Sequence, residues 1–553
     1  MNNNSETLAA DLKQHIRGDV ATDPASLEFY SHDASLFELR PKIVVFPKDA
    51  EDIKQLVRYV NEHRANQPDL SLTGRAGGTD MGGGAINDSL IVAFERHMNH
   101  VGPVVGQTIT TEPGVYYRDF ETKTLASGQL MPTYPASREL CMIGGMVANN
   151  AGGEKSLVYG KTDRFVKRLD IVLRDGQKHS FRPISKDELA QKLQEPGLEA
   201  DLYREVHKLV TENADVLKAA KPKVSKNSTA YNLWDVWDGE TFDITKVIVG
   251  SQGTLGLMTE VEFQLVPAMP AAGMVVAFLP SLDNLGNIIN AILPLQPMSL
   301  ESFDEHTLKF AFRFFLGFRK TLGLKRFILL GLSFIPVLNK LLRLFPHLPK
   351  IVLMVHFEDE SQEKVAAKID QTEEKLEALG IETQRAEDKR HEEKFWTLRR
   401  ESFNLLRKNI KHKHTAPFID DIIVPPATLQ EFLPRLTEIL ERNNLLYTVA
   451  GHMGDGNFHI IPLMDLTVPA ERAKIYPVLN EVTDLILQYG GSLSGEHNDG
   501  MIRGPMLEKM YGPEVLSIMR RVKNVFDPDN IFNPHKKLTA DLEYSKAHMR
   551  EHF

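Results

Sequence analysis

Ile143-Gly144-Gly145-Met146-Val147-Ala148-Asn149-Asn150-Ala151-Gly152-Gly153 packs glycines and other small residues into eleven positions. A backbone so free of side-chain bulk can lie flat against a planar ring and offer its N–H groups to it. Pro135-Ala136-Ser137-Arg138 precedes this run and Tyr159-Gly160 follows it. Upstream, Thr73-Gly74-Arg75-Ala76-Gly77-Gly78-Thr79-Asp80-Met81-Gly82-Gly83-Gly84 joins two predicted strands, residues 70–73 and 90–94. Successive N–H groups in such a loop can form an anion-binding nest. No Gly-Lys-Ser/Thr follows, so it is not a Walker loop, and its spacing is not that of a Rossmann fingerprint. Taken alone it reads equally well as a glycine-rich surface turn. A third segment, Gly250-Ser251-Gln252-Gly253-Thr254-Leu255-Gly256-Leu257-Met258-Thr259-Glu260, closes the same region.

The surroundings alternate between strand and helix patterns. Residues 42–46 read as a strand, and residues 50–65 as a helix with Ile53, Leu56, Val57 and Val60 on one face. Residues 103–115 return to a β pattern, residues 131–160 are turn-rich, and the strand 166–173 ends at a hairpin signal, Asp175-Gly176. Residues 247–266 hold two strand-like runs around Gly253 and Gly256, and Pro267 to Pro270 mark a boundary. Beyond it, strands at 274–279, 351–357, 422–424 and 445–449 alternate with helices at 363–379, 429–442 and 470–488. The pattern predicts an α+β protein whose second domain carries an antiparallel sheet. The expected division is a helical lead-in over 1–40 (Leu8, Leu12 and Ile16 at helical spacing), a first domain over 41–268, a second over 269–500, and a C-terminal segment over 501–553.

With 42% hydrophobic and 25% charged residues in a chain of 553, the composition is that of a globular protein. A net charge of −9 argues against general nucleic-acid binding. The single cysteine, Cys141, rules out internal disulfides and a thiolate-ligated iron–sulfur cluster within this chain. The polar N-terminus has no apolar stretch of the secretory kind, so a reducing, cytoplasmic setting is expected. Residues 306–350 are unusual: nine Lys/Arg, no Asp or Glu, and many interleaved Phe and Leu. Their uncharged runs fall short of the ~20 residues a membrane-spanning helix needs. Two readings are open, contact with an anionic membrane surface or a pair of helices packed on the core.

Histidines cluster near the C-terminal end of the second domain. Gly451-His452-Met453-Gly454-Asp455-Gly456-Asn457-Phe458-His459 follows a predicted strand, and Ser494-Gly495-Glu496-His497-Asn498-Asp499-Gly500 comes later. Glycine turns let His452 and His459 converge. Two imidazoles and a carboxylate suit a divalent metal with open positions, zinc or manganese being natural candidates. A hydrogen-bonded polar patch without metal is the plain alternative.

The three glycine segments, in this order, resemble the FAD domain of the vanillyl-alcohol oxidase/p-cresol methylhydroxylase (PCMH) superfamily, and within it the D-lactate, glycolate and D-2-hydroxyglutarate dehydrogenase branch. The resemblance runs from about Pro41 to Lys537, with 306–350 its least typical part. It implies a PCMH-type FAD domain of two subdomains. The loop bearing Arg75, Gly77, Gly78, Thr79 and Asp80, together with Gly144 and Gly145, would hold the pyrophosphate. Asn150, Gly152, Gly153, Gly253, Thr254 and Gly256 would hold the remainder of FAD, with Pro135, Ser137 and Asn149 among the contacts. Members that bind FAD covalently often have histidine where Thr79 stands, so non-covalent FAD is expected. The resemblance also implies His452, His459 and Glu496 as metal ligands and His497 as the base. Cys141 falls near the flavin as a small packing residue.

A 2-hydroxy acid could then chelate the metal, lose its hydroxyl proton to a His497 that is neutral near pH 7, and give its α-hydrogen to the flavin as hydride. Arg399 in Trp396-Thr397-Leu398-Arg399-Arg400-Glu401 is the favoured partner of the substrate carboxylate, ahead of Arg400 and Arg503. Some positions depart from the branch. Many relatives have glycine at Asn498, and D-2-hydroxyglutarate enzymes commonly have a substrate-holding asparagine at Ile461. Asp420-Asp421-Ile422-Ile423-Val424-Pro425 matches an acidic motif expected to be structural, and residues 526–534 match a C-terminal turn that covers the flavin domain. Electrons would leave reduced FAD through a membrane quinone, a separate acceptor protein or a diffusible acceptor. Two rival readings are an oxygen-using flavin oxidase of an alcohol, phenol or sugar, and a non-enzymatic flavin-fold binding module.

Overall fold

The computed structural model describes residues 3–305, 307–309, 348–386, 391–393, 395–397, 399 and 412–552. Most of the basic 306–350 segment, and Arg400, lie outside the described residues.

Three strands, Ile43–Phe46, Leu90–Ala93 and Leu72–Arg75, lie parallel, with Asp19–Ala21 antiparallel at one edge. Ile43 to Phe46 are buried throughout, as expected of a parallel strand covered on both faces. The helix Ala50–His63 starts where the Asp49 side chain accepts the N–H groups of Glu51 and Asp52. Its stripe of Ile53, Leu56, Val57 and Val60 packs on the sheet together with Leu8, Leu12 and Ile16 of the lead-in.

A second, antiparallel sheet has the order Val101–Val105, Thr108–Thr111, Leu257–Gln264, Val166–Val172, Lys178–Phe181. Leu257–Gln264 alternates strictly between buried and half-buried residues, the signature of a strand with one covered face. The third and largest sheet belongs to the second half of the chain and is also antiparallel. It runs Glu382–Ala386, Ala271–Leu279, Ile351–Asp359, Ser299–Asp304, Leu446–His452, Asn457–Met464, His414–Thr415, with Ile422–Ile423 also pairing Asn457–Met464. The architecture is the α+β arrangement expected from the sequence.

Three local readings change. The turn-rich stretch contains a helix, Ile143–Asn149, ending at Asn150 in the left-handed region (φ 51). Glycine disfavours helix intrinsically, but the missing side chain lets Gly144 donate to Pro113 O at 2.8 Å, where an added Cβ would meet Pro113 Cβ at 2.8 Å. Val247 belongs to the short helix Thr245–Ile248, begun by Asp243 accepting the Thr245 N–H at 3.0 Å, so only Leu257–Gln264 is a long strand here. The last expected helix is two, Pro469–Arg472 and Ile475–Gln488.

The C-terminal segment returns to the flavin half. Helix Leu507–Phe526, broken at Gly512 (φ 75), packs into the core formed by residues of 109–265. The turn after it then braces the first glycine loop. Fully buried Asn533 donates to Gly84 O (2.8 Å) and Gln252 O (2.7 Å) and accepts from Thr73 Oγ1 (2.8 Å). Asn533→Ala strands two buried carbonyls and a hydroxyl, and is expected to lower stability by about 2–3 kcal/mol in urea unfolding.

Candidate active site

Walls from all three glycine segments enclose one cavity of about 820 Å³. Gly77, Gly78, Thr79, Asp80, Pro135, Ser137, Gly144, Gly145, Asn149, Gly152, Gly253 and Gly256 line it, as does Cys141, whose thiol burial pushes up to about 12. A Cβ built on Gly145 meets only Ala76 Cβ at 3.5 Å, and one on Gly253 only Gly256 O at 4.0 Å. Side chains at these two positions would therefore project into the space that a flat cofactor needs. Asp80 uses its carboxylate on the protein itself: Oδ2 accepts from Gly82 N (3.1 Å) and Gly84 N (2.5 Å), and Oδ1 from Asn149 Nδ2 (2.9 Å). It ties the loop to the helix Ile143–Asn149.

Four residues expected at the cofactor stand behind the wall. Arg75 reaches Tyr30 O and Ala85 O and lies over the Tyr30 ring. Its guanidinium closes the space that a side chain on Gly78 (φ 64) would occupy. Asn150 Oδ1 accepts the Asp163 N–H (2.9 Å), and Gly153 lies against Tyr134 O, where a Cβ would come within 2.1 Å. Thr254 hydrogen-bonds Ser251 O and the Tyr231 hydroxyl. All four shape the wall rather than line the cavity.

At its far end the same cavity is lined by Arg399, Asp420, Thr448, Ala450, His459, Ile461, Glu496 and His497. Antiparallel pairing sets part of this surface, placing Thr448 opposite Ile461 and Ala450 opposite His459. The three histidines converge: ring centroids of His452 and His459 are 5.2 Å apart, and His459 and His497 stack at 4.9 Å with an 18° interplanar angle. His452 Nε2 lies 3.4 Å from Glu496 Oε1.

Each imidazole is held by a buried carboxylate at Nδ1. Glu301 Oε1 lies 2.5 Å from His452 Nδ1, Asp420 Oδ1 lies 3.2 Å from His459 Nδ1, and Asp420 Oδ2 lies 2.5 Å from His497 Nδ1. Such contacts fix the tautomer and leave Nε2 for the cavity. Burial alone would lower the imidazole pKa values, but Glu301 and Glu496 outweigh it and raise His452 to about 9, while Asp420 and Asp421 do the same for His497. Asp420 and Asp421 thus pull toward the charged form of His497, where a neutral ring near pH 7 was expected, and a divalent cation at the neighbouring residues would act in the opposite sense. Against the opposing effect of burial, His497 and His459 hold Asp420 below the usual carboxylate range, and Arg399 followed by His452 does so for Glu301.

Ligand atoms of Asp421, His459, Glu496 and His497 lie within 4.8 Å of one another. Asp421, however, is committed to the loop: it accepts from Glu496 N (2.8 Å), His497 N (2.7 Å), Ser494 Oγ (2.5 Å) and Asn457 Nδ2 (3.0 Å). His452 Nε2 is buried and has no hydrogen-bond partner among the described residues. An orphaned buried nitrogen facing Glu496, with His459 alongside, fits a divalent cation bound by His452, His459 and Glu496.

Sequence reading missed three of the groups that hold this centre. Glu301 pairs with Arg399 as well as with His452. Lys226, fully buried, lies 2.5 Å from Glu496 Oε1 and 3.3 Å from Asp455 Oδ2, and these acids raise its pKa against burial. Lys161 donates to Gly495 O at 2.8 Å. The one available signal was Glu301 itself, an acid at a buried position of the strand Ser299–Asp304. Arg503 directs its guanidinium to the carbonyls of Asn498 (2.8 Å) and Asp420 (2.6 Å) and does not line the cavity. Asn498 adopts φ 68, a left-handed conformation that asparagine tolerates better than most residues and glycine adopts freely.

A glycine-walled cavity that also reaches a histidine–carboxylate cluster is the arrangement a flavin-binding site would need. Family comparison agrees: residues 41–182 match the FAD binding domain, and residues 269–537 match the FAD linked oxidases, C-terminal domain. This chain thus carries a region matching a FAD binding domain and a region matching the C-terminal domain of FAD linked oxidases. D-2-hydroxyglutarate dehydrogenase of Pseudomonas putida is 27% identical over 551 residues, 97% of this chain but 52% of that protein. The chain therefore spans about half the length of such relatives. Glycolate oxidase subunit GlcD of Bacillus subtilis is 25% identical, with 93% of this chain and 92% of that protein covered. D-lactate dehydrogenase of Archaeoglobus fulgidus is 25% identical, with 89% and 90% covered. Among solved structures, alkyldihydroxyacetonephosphate synthase aligns with a TM-score of 0.67 at 16% identity, covering 97% of this chain and 86% of its own. Substrate-bound p-cresol methylhydroxylase aligns with a TM-score of 0.65 at 14% identity, covering 98% of each chain. These two share the fold.

Removing the Glu301 charge breaks its buried ion pair with Arg399 and leaves His452 facing Glu496 alone. Glu301→Gln is expected to destabilise the protein by roughly 3 kcal/mol, read by denaturant unfolding at pH 7.

Proposed function

We propose that this chain oxidises a small D-2-hydroxy acid to the 2-oxo acid with FAD as the hydride acceptor. The observation that carries the reading is the single cavity, glycine-walled at one end and lined at the other by His459, Glu496, His497 and Arg399. Relatives named as D-2-hydroxyglutarate and D-lactate dehydrogenases support it.

Gly77, Gly78, Gly144, Gly145, Gly253 and Gly256 would hold FAD non-covalently, and it would supply the two-electron sink for the α-hydrogen. His452, His459 and Glu496 would hold a divalent cation, zinc or manganese, which would supply Lewis acidity toward the substrate hydroxyl. Arg399, steadied by Glu301, receives the substrate carboxylate. His497 takes the hydroxyl proton at Nε2, its Nδ1 being held by Asp420. The carboxylates around His497 raise its pKa to about 9, and a dication at the neighbouring ligands acts in the opposite sense. Thr448, Ala450 and Ile461 form a compact, largely apolar wall beside His459, suited to a short aliphatic side chain.

The reducing equivalents then pass to a quinone or a separate acceptor protein. Contact with a membrane surface through 306–350, at the inner face of the membrane, belongs to the same reading, and that segment lies almost wholly outside the described residues. None of the described helices is long and apolar enough to cross a membrane.

Anaerobic mixing with a panel of D- and L-2-hydroxy acids should bleach the flavin absorbance with short D-acids such as D-lactate, and more slowly with the dicarboxylate D-2-hydroxyglutarate. A panel that leaves the flavin oxidised throughout rejects the substrate class. Dialysis against a strong chelator should slow bleaching tenfold or more, with recovery on adding zinc or manganese; undiminished rates after verified metal removal would reject the metal-assisted chemistry.

A further inference from the structure

Asp420 stands where the two chemical duties of the site meet. Its side chain is completely buried. One carboxylate oxygen faces His459 Nδ1 at 3.2 Å and the other faces His497 Nδ1 at 2.5 Å, with the two rings stacked. The next residue, Asp421, is held at φ 68, an uncommon conformation for a non-glycine residue. Across this turn the adjacent carboxylates divide their work. Asp421 accepts the backbone N–H groups of Glu496 and His497, while Asp420 takes the two imidazoles. Arg503 fixes the turn from behind through the Asp420 carbonyl at 2.6 Å.

We propose that Asp420 is a positioning residue that sets both the cation-binding face of His459 and the proton-accepting face of His497, an inference that rests on the ligand and base roles proposed above. The argument is one of acceptor count. A carboxylate offers an acceptor to each ring, so both Nδ1 atoms carry hydrogen and both Nε2 atoms present a lone pair to the cavity. An asparagine amide offers one acceptor and one donor. Whichever ring meets the donor must accept at Nδ1 and carry its hydrogen on Nε2, which removes either a ligand or a base. The remaining ring keeps its hydrogen bond but loses its charged partner.

The test uses the full chain with its flavin and cobalt(II) as the probe cation. In Asp420→Asn, cobalt affinity, followed by equilibrium dialysis and the visible d–d absorption, is expected to fall ten- to a hundredfold. At saturating cobalt, flavin reduction by D-lactate is expected to slow tenfold or more, appearing in the limiting rate rather than in the half-saturating substrate concentration. Asp420→Glu, which keeps two acceptors and the charge, should recover part of both losses. If Asp420→Asn is recovered without flavin, Asp420→Glu decides alone: a displaced carboxylate should alter the cobalt spectrum and the limiting rate together. Change in only one of the two properties, or in neither, overturns the inference. A wild-type protein that binds no cobalt and is not reduced overturns the functional reading itself, and this inference with it.

Discussion

The three imidazoles of this site become chemically distinct from a random cluster because each is gripped at Nδ1 by a carboxylate that water cannot reach. Glu301 and Asp420 are both almost fully buried, and between them they serve His452, His459 and His497. Burial of a carboxylate is costly unless it is paired and hydrogen-bonded. Here the pairing partners are the functional groups themselves, so the interactions that stabilise the acids also aim the imidazoles. The rest of the site follows from that constraint: the glycine walls fix where a flat cofactor can lie, and the carboxylates fix which nitrogen faces it.

This centre is assembled across the junction of the two halves of the chain. Lys226 and Lys161, contributed by the flavin half, reach Glu496 and the Gly495 carbonyl of the other half. The Ser228 N–H donates to Ser494 O at 2.9 Å, and Asn498 Nδ2 donates to Gly250 O at 2.8 Å. The loop that carries Glu496 and His497 is therefore held from both sides. Misplacement of the domains by an ångström or two would break buried charge-assisted bonds, a penalty that water at an open interface would not impose.

Much of this was legible in the sequence because it depends on local composition. Glycine density marked all three cavity walls, and the spacing in residues 451–459 and 494–500 marked the histidine cluster, whose members the fold brings together. What was not legible depends on pairing between distant residues. The strand register that sets Glu301 opposite His452 joins positions 151 residues apart, and nothing near Glu301 announces its partner. Lys226 is 270 residues from Glu496. The pull of Asp420 and Asp421 on the His497 proton was not legible, because the sequence does not reveal that these two acids surround it. Ile143–Asn149 was read as turn because its helix is stabilised by close approach to Pro113, a tertiary contact that overrides glycine's weak helical propensity.

Asn533 links Thr73 of the first glycine loop to a residue 460 positions later. A growing polypeptide emerges from the ribosome N-terminus first, and its domains generally fold in that order. The first glycine loop is thus synthesised long before the side chain that braces it exists. The brace on that loop can form only after residue 533 has been made and the C-terminal segment has packed back on the flavin half. A flavin half made without that segment would have to hold its first glycine loop with the Gly84 and Gln252 carbonyls unpaired by Asn533.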